Sequence, residues 1–116
     1  MSVAIRPSQA LHLWHRVALS LVRSGDADLT PRQMAVLMTV YLEPPPHTVR
    51  GLATRLGVTK PVITRALDSM GQAGLVSRRR DETDRRNVVI QRTVEGALYL
   101  ERLGDLISQT GAQLPR

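Results

Sequence analysis

Lys60, Pro61, Thr64, Arg65 and Asp68 recur at a spacing that would turn them all to the outer face of one helix. Lysine and arginine on such a face can donate to guanine O6 and N7 or to phosphate, and threonine can meet a thymine methyl or a phosphate. Around them the chain is strongly basic. Ten Lys/Arg lie between Thr48 and Arg92 against four acids, and the remaining residues hold six of each sign. The whole formal charge of +6 therefore belongs to this one stretch. Charge concentrated in this way is the electrostatic footprint of a protein that reads duplex DNA.

The elements that must position these residues follow from capping and periodicity. Thr48 caps a helix with Val49, Leu52, Ala53 and Leu56 inward, and Gly57 closes it. After Val58, Thr59 caps a second helix with Pro61 in its first turn and Ile63, Ala66, Leu67 and Met70 inward. A capped helix, a short turn with glycine and another capped helix make a helix-turn-helix. Leu75–Arg80 and Asn87–Arg92 read as two strands around a charged tip at 81–86, a hairpin wing. Upstream, Thr30, Pro31 and Gln33 open a helix with a capping box, apolar nearly all round from Met34 to Leu42 and stopped by Pro44-Pro45-Pro46. Flanking helices are expected at 8–24, capped by Ser8, and at 94–110, with Gly111–Arg116 frayed. The expected fold is mainly α with a small β-hairpin wing: a winged helix-turn-helix in a single domain over 1–116, with its DNA-binding core at 29–93.

Leu11, Trp14, Val17 and Leu21 on the first helix, and Leu98, Leu103, Leu106 and Ile107 on the last, exceed what so small a domain can bury. Apolar surface of that kind marks an interface, here with a second copy. Trp14, Tyr41 and Tyr99 could line an aromatic pocket, but packing explains them more simply. His12 and His15 share a helical face, yet no third ligand accompanies them, and the acids of the wing tip sit among arginines, so no metal site is expected. No glycine-rich phosphate loop, buried carboxylate pair or nucleophile with a base at a recognisable spacing is present, so neither catalysis nor a cofactor is expected. Three aromatic residues are too few for a base-stacking single-strand binder. The absence of cysteine removes disulfides and thiol switches. Met1–Ile5 is too short for a signal peptide and no apolar run reaches about 20 residues, which points to a cytoplasmic protein without a membrane partner.

Leu29-Thr30, Gln33, Leu37, Leu52-Ala53, Leu56-Gly57-Val58 and Val62–Asp68 together resemble the MarR family of winged-helix regulators. Gly74-Leu75-Val76, Arg79-Arg80 and Asp84-Arg85-Arg86 before Thr93 and Gly96 extend the resemblance over about residues 29–96. It implies a bacterial, dimeric transcription regulator whose first and last helices pair, with a small aromatic acid as a candidate effector. It also implies that Arg86 pairs with Asp68 and so sets the angle of the wing. The expected reading is a homodimeric repressor on double-stranded DNA, with helix 60–72 in the major groove of a palindromic operator and the wing in the minor groove. The residues expected at DNA are Thr48, Arg50, Arg55, Thr59, Lys60, Pro61, Thr64, Arg65, Arg80 and Arg85, with Arg55 on phosphate and Arg85 at the wing tip. The alternative is a winged helix that docks on protein within a larger regulatory assembly.

Overall fold

The computed structural model describes residues 4–115. Its elements run α1 (Pro7–Arg23), α2 (Pro31–Leu42), β1 (His47–Thr48), α3 (Val49–Leu56), α4 (Lys60–Gln72), β2 (Val76–Arg80), β3 (Val88–Arg92) and α5 (Val94–Ala112). They fall into two compact units, one spanning Leu29–Leu100 and the other formed by α1 and the later part of α5.

The Leu29–Leu100 unit is built on α2. Thr30 Oγ1 accepts from Gln33 N, and Gln33 Oε1 accepts from Thr30 N, the reciprocal cap expected of this sequence. Val36, Leu37 and Val40 lie at 0% exposure, while Leu42 is open to solvent, so α2 is central on one face rather than all round. Leu52 of α3, Ile63, Leu67 and Met70 of α4, and Leu75, Val76, Ile90 and Tyr99 complete one core. Each such side chain contributes roughly 1.5–3 kcal/mol of burial.

Gly57 makes the turn between α3 and α4, its φ of 70° being the left-handed conformation that β-carbons oppose. Val58 N donates to Ala53 O at 3.0 Å and ties the turn to the end of α3. The wing is a three-stranded antiparallel sheet of order β1-β3-β2 rather than a lone hairpin. His47 and Thr48 add the third strand, opposite Ile90 and Val89. That two-residue strand has no periodicity of its own, and its pairing arises only when β3 lies beside it.

Where β3 meets α5, one tyrosine fastens four segments. Tyr41 Oη donates to Leu75 O at 2.7 Å and accepts from Thr93 N at 2.9 Å. Thr93 Oγ1 donates to Gly74 O and accepts from Gly96 N, which caps α5. Arg92 Nε donates to Val40 O at 2.9 Å, Arg92 also donates to Glu43 O, and its guanidinium lies 5.8 Å from the centre of the Tyr41 ring. These bonds satisfy carbonyls at the end of α2 that no residue of the helix itself can reach.

In the other unit, α1 begins one residue before the expected Ser8. Arg6 is the cap, Pro7 takes the first helical position, and Gln9 Oε1 accepts from Arg6 N. Gln9 and Arg16 donate to Pro115 O and Gln113 O, and Arg102 pairs with Asp26 at 3.6 Å. The expected frayed tail is helical through Ala112, and Arg116 and Met1–Val3 lie outside the described residues. Among the described residues no helix is long and apolar enough to cross a membrane.

Candidate nucleic-acid interface

The outer face of α4 carries the residues expected on it. Lys60, Pro61, Thr64 and Arg65 are all exposed, in the helix that follows the Gly57 turn. Lys60 meets no hydrogen-bond or ionic partner among the described residues, and Arg65 makes one long bond, Nε to Pro61 O at 3.3 Å. Thr59 holds the N-cap position, but its hydroxyl makes no capping bond, contrary to expectation. Thr48 does cap α3, accepting from Gly51 N at 2.9 Å, and its hydroxyl hydrogen is left for another acceptor.

Four of the ten basic side chains of this stretch are held by acids or by the end of α2. Arg55, expected at phosphate, forms a two-pronged bridge to Glu43, with Nε–Oε1 and Nη2–Oε2 both at 2.9 Å. That hydrogen bonding holds the Glu43 carboxyl below the usual carboxylate range and raises Arg55 further. Arg92 is tied to the end of α2. Arg78 Nη2 meets Asp68 Oδ1 at 2.7 Å, and Arg86 meets Asp84 at 3.1 Å.

The last two pairs correct the expected Asp68–Arg86 bridge. Arg78 lies opposite Ile90 in the ladder, so it shares the face that Ile90 turns to the core and α4, where Asp68 stands. Arg86 lies beyond the ladder, and Asp84, two residues earlier, captures it through Oδ1 and Oδ2. Asp68 on α4 does have a structural partner, but from the strand and not the tip.

The tip is an ordered turn. Asp81 Oδ1 accepts from both Thr83 N and Thr83 Oγ1, Asn87 N donates to Asp84 O, and Arg80 Nη1 donates to Arg85 O at 3.0 Å. The Arg85 guanidinium itself meets no partner among the described residues. Arg50, at the start of α3, is near enough to lower the Asp84 carboxyl, adding to the larger effect of the Arg86 hydrogen bonds. The Thr83 bonds lower Asp81 in the same direction. Both groups favour the folded tip only while ionised, so that contribution is complete above their unfolded values and is lost as pH falls through the depressed folded values. In a carbon-detected NMR titration, both carboxyls should titrate below the roughly 3.9 of an unstructured aspartate. An ordinary midpoint at Asp84 would mean that the tip bonds do not persist in solution.

The residues expected at a dimer interface divide by burial. Val17 and Leu103 are already buried, at 1% and 5% exposure, whereas Leu11 and Trp14 are 72% and 62% exposed. Leu98 is also exposed, and Leu21, Leu106 and Ile107 are half-buried. Tyr99 belongs to the core. Among the described residues no three His, Asp or Glu side chains gather as a metal site.

The MarR family profile matches residues 27–87. Among solved structures, the YusO protein from Bacillus subtilis is similar at 23% identity and a TM-score of 0.75, covering 91% of this chain and 72% of its own. MepR of S. aureus, in a complex with DNA, is 21% identical with a TM-score of 0.75, covering 88% of this chain and 82% of its own. The transcriptional repressor CouR, bound to a 23-mer DNA duplex, is 26% identical with a TM-score of 0.71, covering 90% of this chain and 71% of its own.

Proposed function

The chain belongs to the MarR family of winged-helix regulators, and we propose that it is a transcription repressor that binds a palindromic double-stranded operator as a homodimer. One observation carries the DNA reading: α4 presents Lys60, Pro61, Thr64 and Arg65 unshielded, beside a wing whose Arg85 is uncommitted. The helix would enter the major groove and supply specificity, while arginines on the wing and α3 hold phosphates and supply affinity. The DNA-bound CouR and MepR structures support the same use of the fold. The exposed Leu11 and Trp14 of α1 support pairing of two copies, since an isolated chain gains nothing from an apolar stripe in water. A small aromatic effector remains part of the proposal through the family alone.

Selection of bound fragments from random duplexes should enrich one inverted repeat with half-sites about 10 bp apart. Enrichment of a single unpaired half-site, together with a monomeric mass on that DNA, would overturn the dimer. On the selected site, Arg65→Ala should cost roughly 1–3 kcal/mol and flatten preference at one or two base pairs per half-site. An equal loss on every sequence would assign Arg65 to phosphate instead.

A further inference from the structure

The first turn of α2 and the outer face of α4 enclose an open cleft of about 300 Å³. Its walls include Thr30, Arg32 and Gln33 from α2, and Arg65 and Ser69 from α4. Two of these are arginines and none is an acid. Arg32 is exposed and has no hydrogen-bond or ionic partner among the described residues. Among the described residues the Arg65 side chain makes one hydrogen bond, through Nε, which leaves both terminal nitrogens of its guanidinium unspent. The nearest acid along α4, Asp68, is neutralised by Arg78. A cleft with two free guanidinium forks and no carboxylate is suited to a phosphate, whose oxygens each fork can meet with paired donors.

We infer that this cleft seats a DNA backbone phosphate and that Arg32 is a DNA contact, extending the interface from the helix-turn-helix and wing onto α2. The inference rests on the DNA reading above and adds to it a residue outside the basic stretch. The location favours the DNA backbone over a free anion, because one wall of the cleft is the recognition helix itself. A phosphate beside the major groove that α4 enters would meet Arg32 from the α2 side while Arg65 faces the bases or the same phosphate.

The test measures binding of the full-length wild type, Arg32→Ala and Arg32→Lys to the selected duplex across a salt series. Arg32→Ala should bind roughly tenfold more weakly on every sequence and lose about one unit of the log–log salt slope, and Arg32→Lys should retain that slope. An unchanged thermal midpoint should accompany the loss, because the side chain is exposed. Replacing single backbone phosphates by neutral methylphosphonates should reveal one position that weakens the wild type but not Arg32→Ala. Inorganic phosphate should compete no better than chloride at equal ionic strength, and stronger competition would reassign the cleft to free phosphate. If the wild type binds DNA and Arg32→Ala matches it in affinity and slope, the inference alone fails. If the wild type binds no duplex, the DNA reading fails first.

Discussion

Raising salt from about 50 to about 200 mM should cost this protein on the order of 10³–10⁵ in affinity for its duplex site. The loss measures counterions released by cations that lie on phosphate, and the structure separates candidates from bystanders. The side chains of Lys60, Arg85 and Arg32 have no internal partner among the described residues, and Arg50 at the start of α3 is near enough to Asp84 to lower its carboxyl. Among the described residues the side chains of Arg65, Arg79 and Arg80 donate hydrogen bonds to backbone carbonyls alone, and Arg79 also acts on the Asp81 carboxylate through its charge. A dimer that places such residues at roughly 6–10 phosphates reaches the stated range. Arg55, Arg78, Arg86 and Arg92 are engaged by acids or by the end of α2, and should add little. Arg85→Ala should therefore lower the slope, while Arg55→Ala should leave it near that of the wild type. A flat salt dependence of the wild type would take the basic stretch off the DNA. A slope lost equally with Arg55 would mean that its bridge to Glu43 opens on binding.

Gly96→Ala should destabilise the Leu29–Leu100 unit by about 3 kcal/mol, the upper end for overpacking, and lower the melting midpoint by roughly 12–24 °C. A β-carbon at this position would overlap both Tyr41 Oη and Leu75 O, and neither can retreat easily. The carbonyl is backbone at the start of the wing, and the hydroxyl is held by Leu75 O and Thr93 N. Relief would require α5 to lift from the wing or Tyr41 to leave its bonds, and both routes loosen the sheet that carries Arg85. Tyr41→Phe should cost about 1–3 kcal/mol by stranding partly buried partners. Combined with Gly96→Ala it should do less harm than the two losses added, since removing Oη clears one of the two obstacles. Strictly additive losses, or a Gly96→Ala protein as stable as the wild type, would show that the close approach is absent in solution.

Local signals were enough for most of this protein. Caps at Thr30, Thr48 and Thr93, breakers at Pro44-Pro45-Pro46 and Gly57, and apolar periodicity placed α2 to α5 and the hairpin within a residue or two, because each acts over three or four residues of chain. The count of charges likewise located the basic face. What the sequence could not assign was the partner of each charge. Arg55 and Glu43 are twelve residues apart, Arg92 and Val40 fifty-two, and no periodicity links them. Arg78 rather than Arg86 took Asp68 because ladder register, a property of two strands together, turned Arg78 toward α4. Arg32 looked like part of a neutral remainder until helix packing set it across a cleft from Arg65. Residue types and short spacings thus determined the fold and the sign of the surface, since caps, turns and amphipathic faces are local. Which arginines remain free for a ligand was decided only by tertiary structure, because an ion pair forms wherever the folded backbone brings a carboxylate within reach.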